Sequence, residues 1–247
     1  MLSVVMISKD SPNQACKMVS KTIISLIPPS LVNAVKTSRT FWRFRHILQP
    51  GSWKSYTEDS YNPRRLFYSE FCSSYSLKSV FEFGCASGPN LISIDRETSH
   101  SVFLFGYDIN AHAVRIARKA LAASDAKIFS NLEELKRYLS VREDLRFGLT
   151  IYDRVLYLMT DDEVRAHVED FRMHLRYVII DDFHSENPYQ PQGYPYKAKN
   201  YLSLFKGFVV LDIQDSGHVS KDNFMLKTAR RLILINEALD TETKIAV

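Results

Sequence analysis

The chain has 247 residues, 45% of them hydrophobic and 24% charged, with a formal net charge of +4. These proportions exclude a disordered or fibrous chain and leave room for one substantial domain plus a smaller appendage. Such mild charge gives no reason to expect nucleic acid, whose binding needs Lys and Arg clustered on one face. The scattered Cys16, Cys72 and Cys85 form no C-x-x-C pair. They argue against a disulfide framework or structural zinc and favour a reducing, cytoplasmic compartment.

In chain order, residues 1–64 read as an N-terminal helical cap or appendage and residues 65–247 as the main domain. Residues 1–7 are apolar but too short to span a bilayer, and they lack the basic start and cleavage site of a signal peptide. An apolar stretch at 15–27 ends at Pro28-Pro29, because proline removes a donor and restricts the residue before it. Residues 30–48 place Lys36, Arg39, Arg43, Arg45 and His46 among Phe41, Trp42, Phe44 and Ile47. A basic helix carrying aromatics fits a cap packed on the domain, the preferred reading, or peripheral docking on an anionic membrane surface. Residues 49–64 are polar and turn-rich and read as a junction. They also carry Trp53, Tyr56 and Tyr61, which either pin the segment to the core or roof a ligand pocket. A helix is expected over 65–75.

From there strand and helix patterns alternate, which implies a mainly parallel sheet. Strands are expected at 80–83, 102–107, 126–129, 147–151, 177–181, 208–213 and 223–228. One helix is expected over 111–122. Another follows Thr160, whose spacing to Glu163 is that of a capping box, with Val164, His167, Val168, Phe171 and Leu175 at helical intervals. The last two strands are joined by 214–221, a loop containing Ser216-Gly217 that suits a hairpin.

The most informative stretch is Val80-Phe81-Glu82-Phe83-Gly84-Cys85-Ala86-Ser87-Gly88, answered by Tyr107-Asp108-Ile109-Asn110. An apolar run enters a glycine-bearing turn, and about twenty residues later a second run delivers a carboxylate. Glycines after a first strand let the backbone approach a nucleotide-like ligand, and an acid ending the second strand accepts hydrogen bonds from ribose hydroxyls. The spacing therefore predicts a pocket for an adenosine-containing cofactor. A dinucleotide enzyme usually shows G-x-G-x-x-G, whereas here a carboxylate stands two residues before the first glycine. It would repel a pyrophosphate but attract an ammonium or sulfonium.

These residues resemble the first motif of the class I S-adenosylmethionine-dependent methyltransferases, and Asp108 matches that family's second acidic position. "FGLTIYDRVLYLMTDDEV" and "RYVIIDDFH" are similar to its fourth and fifth strands, so the resemblance covers roughly residues 68–230. One departure is Ala86, where the family often has its middle glycine; a methyl group there is expected to demand an ordinary backbone conformation. The resemblance implies an α/β, Rossmann-like seven-stranded mostly parallel sheet with a terminal antiparallel hairpin, plus the N-terminal helical appendage. It also implies S-adenosylmethionine as cofactor. Glu82 would hold the methionine ammonium; Gly84, Cys85 and Gly88 would wall the methionine portion. Asp108 would bind the ribose diol, Ile109 would pack on adenine, and Asn131 would approach the adenine edge. Tyr152 and Asp153 end the fourth strand, where open parallel sheets receive ligands.

Each assignment has a plainer counterpart. Glu82 could pair with a basic residue, Asp108 could cap a helix, Cys85 could simply fill space, and Asp153 could pair locally with Arg154. His184, following the fifth strand, is the leading candidate for a general base because histidine titrates near neutrality; otherwise it is a loop residue. Asp153, Asp181 and Asp182 could gather a divalent cation, but no Asn follows the second carboxylate and no metal is assigned. In the insertion after His184, Tyr189, Tyr194, Tyr196 and Tyr201 could stack on a sugar or planar acceptor. Asn187-Pro188-Tyr189 is similar to an element of DNA amino-methylating enzymes, but it follows the fifth strand, not the fourth. The expected activity is methyl transfer to a small-molecule or glycan acceptor, most simply at a hydroxyl oxygen. The alternatives are a protein or RNA methyltransferase, a non-catalytic S-adenosylmethionine-binding partner subunit and, at the margin, a nicotinamide dehydrogenase.

Overall fold

Apolar runs that recur along the chain from Ser79 onward become the strands of one sheet. The computed structural model describes residues 38–48, 51–191, 196–216 and 223–239. The segments expected at 1–7 and 15–27, the Pro28-Pro29 break, Cys16, Lys36, Tyr194 and Gly217 lie outside the described residues.

The strands are β1 Ser79–Phe83, β2 Phe103–Tyr107, β3 Ala126–Phe129, β4 Phe147–Asp153, β5 Leu175–Phe183, β6 Val209–Asp215 and β7 Ala229–Ile235. They form a seven-stranded sheet in the order β3-β2-β1-β4-β5-β7-β6. β1 pairs in parallel with β2 and β4, β2 with β3, and β4 with β5. β7 lies antiparallel between β5 and β6. Strands buried on both faces need apolar residues at every position, not every second one. Accordingly Phe81, Phe83, Phe105 and Phe147 build one core while Val80, Leu104, Leu149 and Ile151 build the other.

The helices are α1 Arg39–Leu48, α2 Ser52–Glu58, α3 Leu66–Ser74, α4 Pro89–Glu97, α5 Ala111–Ala120, α6 Leu132–Ser140, α7 Asp161–Phe171, α8 Tyr201–Leu204 and α9 Asn223–Thr228. The capping box starts α7 as its spacing predicts: Thr160 Oγ1 accepts from the Glu163 N–H, and the Glu163 carboxylate accepts from the Thr160 N–H. Val164, Val168 and Phe171 then turn into the core.

Two expectations need correction. Residues 223–228 are helical, and the final strand is Ala229–Ile235. A strand wedged between β5 and β6 must be apolar on both faces, and Leu232, Ile233, Leu234 and Ile235 meet that demand. Arg230 and Arg231 disguise the run, although Arg231 is itself buried. The junction at 49–64 is also more structured than its turn-rich composition suggests. It contains α2 and two 3-10 turns, Asp59–Tyr61 and Pro63–Arg65, the last reaching one residue beyond it.

The chain winds outward from β1 through β2 to β3, then returns to lay β4 on the other side of β1. This reversal opens a crevice at the carboxyl ends of β1 and β4, where open α/β sheets bind ligands.

Candidate functional site

A cavity of about 700 Å³ covers that crevice; its wall includes Glu82, Gly84, Cys85, Asp108, Ile109 and Asp153. Gly84 takes φ +81°, and an added Cβ would stand 2.5 Å from Val155 Cγ2, so the turn after β1 admits only glycine. The Gly84 and Cys85 N–H groups both donate to the Tyr107 carbonyl, at 2.7 and 2.9 Å, which ties this turn to the end of β2.

Asp108 holds both turns together. Its Oδ2 accepts from the Ala86 N–H at 2.9 Å and its Oδ1 from the Asn110 N–H at 2.8 Å. Ala86 adopts φ +50°, not the ordinary conformation its methyl group leads one to expect. Left-handed backbone costs a non-glycine residue roughly 1–2 kcal/mol, and the charge-assisted bond to Asp108 offsets it. The cap of α5 is Asn110, whose Oδ1 accepts from the His112 and Ala113 N–H groups, so Asp108 is not the capping residue. Burial pushes the Asp108 carboxyl up to about 6.

Glu82 is buried at the end of β1. Asn90 Nδ2 donates to its Oε1 at 2.7 Å, while its Oε2 is buried without a hydrogen-bond partner. Burial pushes its carboxyl up to about 8, with Asp153 adding to the rise. The same Asn90 amide donates to Asp153 Oδ2 at 3.0 Å. Arg64 grips Asp153 at 2.9 Å and Arg65 stands 3.4 Å from it. Arg65 is fixed in turn by Asp59 and by the Asn90 side-chain oxygen. Burial alone would raise the Asp153 carboxyl, but Arg64, then Arg65 and Asn90, hold it well below the usual carboxylate range.

The local Asp153–Arg154 pair does not form. Arg154, at φ +56°, lies 3.8 Å from Asp181 and reaches Ser216. Arg231 donates to Asp181 at 2.9 Å, and Asp182 accepts from the Phe183 and Tyr157 N–H groups. Each of the three carboxylates weighed for a cation thus accepts from protein donors, although Asp181 Oδ1 is buried without a hydrogen-bond partner. Among the described residues no group of three or more His, Cys, Asp or Glu is arranged to hold a metal ion.

Four other sequence candidates sit away from this wall. Gly88 opens α4 at φ +79° and packs toward Ala117 of α5, where an added Cβ would stand 3.2 Å from the alanine methyl group. Tyr152 is fully buried behind the cavity, its hydroxyl 2.8 Å from His167 Nε2. His167 does reach the wall, but burial lowers its pKa to about 3 and keeps it neutral. Asn131 caps α6, accepting from the Glu133 and Glu134 N–H groups, and faces a neighbouring cleft. His184 lines a separate cleft with Ser185, Glu186 and Tyr189. Its backbone N–H donates to the Thr228 carbonyl at 2.7 Å, and its ring stacks near Tyr201. The end of β5 turns it away from the crevice, so it is not placed to touch an acceptor there.

Cys85 does line the cavity, but its thiol is buried and pushed well above its ordinary pKa by desolvation. Its sulfur fills space that an added Cβ on Gly106 would invade, at 2.9 Å. It is a packing residue more than a nucleophile.

Residues from 39–48 and 51–65 close the cavity from above. The Trp42 carbonyl accepts from Asn110 Nδ2 at 2.7 Å, and the Trp53 carbonyl from Ser87 Oγ at 3.1 Å. The Arg45 guanidinium sits among Trp42, Trp53 and Tyr56, 4.7, 5.3 and 4.9 Å from their ring centres. Trp53 and Tyr56 therefore do both jobs considered for them, pinning the segment and roofing the pocket, whereas Tyr61 is exposed beneath Arg96. Beyond β4 the wall is aromatic: Tyr157, Phe183 and Tyr196 pack on one another with ring centres 4.9–5.4 Å apart. Tyr189 instead meets Phe224, and Tyr201 is buried. Sequence reasoning missed Arg64, Arg65 and Asn90. The only signal was a pair of adjacent arginines in a supposed junction and an amide in the first turn after Gly88-Pro89.

No protein-family profile and no curated protein matches the sequence. Among solved structures, the plantazolicin methyltransferase BpumL, in complex with S-adenosylhomocysteine, is 15% identical with a TM-score of 0.54, covering 88% of this chain and 98% of that one. An S-adenosylmethionine-dependent methyltransferase from Leishmania major is 14% identical with a TM-score of 0.53, covering 81% of each chain. An O-methyltransferase from a polyketide synthase multienzyme of Brevibacillus brevis, also with S-adenosylhomocysteine, is 14% identical with a TM-score of 0.51, covering 77% of this chain and 78% of that one. The chain thus has the Rossmann-like fold of the class I methyltransferases. Among the described residues no helix is long and apolar enough to cross a membrane.

Proposed function

We propose that the protein is an S-adenosylmethionine-dependent methyltransferase acting on a small-molecule or glycan acceptor at a hydroxyl oxygen. The observation that carries this reading is the pairing of Glu82 and Asp108 in one cavity: two buried carboxyl groups at the ends of β1 and β2, neither in an ion pair among the described residues. The orphaned Oε2 of Glu82 suits the ammonium of an amino-acid portion, whose positive charge would draw the proton off this carboxyl. Asp108 spends one lone pair of each oxygen on backbone N–H groups, leaving the others for a ribose diol. The glycine cradle at Gly84, with Cys85, walls the space between them, and Ile109 offers an apolar face to adenine.

When bound, the cofactor supplies a methyl group on a positively charged sulfur. The chain's part is to orient the acceptor against it and to exclude water. Tyr56, Tyr157, Phe183 and Tyr196 give the acceptor end an aromatic lining with hydroxyls to fix a polar group. Two carboxylates of the cavity wall, Asp59 and Asp153, are both tied to arginines and are poor proton acceptors. This favours an acidic, phenol-like hydroxyl over a sugar alcohol, since the former gives up its proton without a strong base.

Calorimetric titration with S-adenosylmethionine, followed by transfer of a tritiated methyl group to panels of phenols, sugars and RNA, tests the reading. Saturable binding and transfer to a hydroxylated small molecule are expected. Absence of binding ends the proposal. Binding without transfer to any acceptor moves it to a non-catalytic partner subunit, and transfer to RNA alone replaces the acceptor class.

A further inference from the structure

A second cleft lies beside the cavity, between α1 and the turns that follow β2 and β3. Its wall among the described residues includes Arg39, Arg43, His112 and Arg115, and contains no carboxylate. We propose that this cleft receives the phosphate of an anionic lipid headgroup, and that α1 docks this face of the protein on a membrane surface.

The charges at this cleft come from α1, α5 and α6. On α1, Arg39 is paired at 2.6 Å with Glu163 of α7, while Arg43 has no ion-pair partner among the described residues. On α5, Arg115 reaches His112 Nδ1 at 2.6 Å and remains exposed. Glu133 and Glu134, in the first turn of α6, stand outside the lining. The first N–H groups of α5 and α6 are already capped by Asn110 and Asn131, so the guanidinium groups carry the site. Arginine suits this task because its planar donors match a phosphate two at a time.

A second observation selects a membrane as the source of that phosphate. Thr40, Arg43, Phe44 and Ile47 follow the i, i+3, i+4, i+7 spacing and share the outward face of α1. Phe44 is 46% exposed and Ile47 64%, whereas Phe41 is buried and the Arg45 guanidinium turns inward to its aromatic cage. A helix lying in a membrane interface presents this combination, apolar side chains entering the acyl boundary while arginines stay at headgroup level. Nucleic acid would use the arginines but gains little from an exposed isoleucine.

The full chain should sediment with phosphatidylcholine vesicles containing phosphatidylserine and not with phosphatidylcholine alone. The double substitution Arg43→Glu/Arg115→Glu should lower partitioning at least about tenfold, each basic group near an anionic surface contributing appreciably. Phe44→Ser/Ile47→Ser should lower it by a similar factor by removing buried apolar area. Calorimetry with S-adenosylmethionine and melting curves on the same variants should match the parent, which separates this proposal from the cofactor assignment. Equal vesicle binding by parent and both variants overturns it. So does saturable binding of inorganic phosphate or of RNA to the cleft without vesicle binding, or equal binding to uncharged vesicles.

Discussion

Glu82 and Asp153 sit at the carboxyl ends of the neighbouring strands β1 and β4, share one Asn90 amide, and have pKa values shifted in opposite directions. Around Asp153 the protein supplies two guanidinium groups; around Glu82 it leaves a buried oxygen with none. The difference separates a carboxylate tied into the fold from a carboxyl group left with one oxygen unpartnered at the cavity wall. A buried charge that is fully paired contributes to architecture, while a buried carboxyl that keeps its proton at a cavity wall is a candidate contact for a ligand.

The largest effect should come from the satisfied side. Asp153→Ala leaves Arg64 and Arg65 buried beside an empty position, and removing one member of a buried pair costs about 3–5 kcal/mol. Urea unfolding should show it, and a loss below about 1 kcal/mol would erase the contrast with Glu82. Next comes Asp108→Ala, expected to weaken S-adenosylmethionine binding at least about tenfold, since a hydrogen bond to a charged group contributes about 1.5–3 kcal/mol. An unchanged dissociation constant by calorimetry removes the ribose assignment.

Glu82→Gln sharpens the comparison through pH. The folded-state pKa of Glu82 is raised from 4.5 to about 8, so the fold retains a proton that the unfolded chain releases. Stability contributed at this position is fully present below 4.5 and is lost as pH rises toward about 8. The glutamine variant lacks that loss and should melt above the parent near pH 8, by about 2–4 °C for each kcal/mol, with the gap closing under acid conditions. Equal melting temperatures across the range would mean that the position is already compensated. The smallest effect is expected for His184→Ala, which should leave cofactor affinity and turnover within about twofold, roughly 0.5 kcal/mol. A large fall in turnover with intact binding would restore histidine to the chemistry.

The same contrast explains what the sequence disclosed. Local chain geometry at Gly84 and the strand-end position of Asp108 are written in consecutive residues, so this wall of the cavity was legible in the sequence. The satisfied cluster draws its members from distant segments: Arg64 and Arg65 from a stretch that reads as linker, Asn90 from a helix start, Arg231 from a strand masked by its own charges. No spacing rule links them. Ala86 failed for a similar reason, because its left-handed backbone is stabilised by a carboxylate 22 residues away. His184 lines a separate cleft, because a strand end gives the rim but not the direction of the side chain. The helix at Asn223–Thr228 shows that a short apolar run does not decide between helix and strand when the next run is the better fit to the sheet.

Both tryptophans of the chain, Trp42 and Trp53, lie in the roof against Arg45 and line the cavity. Indole fluorescence of this protein therefore originates wholly from the surface an occupant would meet. Emission quenching or a spectral shift on mixing should report filling of the crevice in real time, with no label attached.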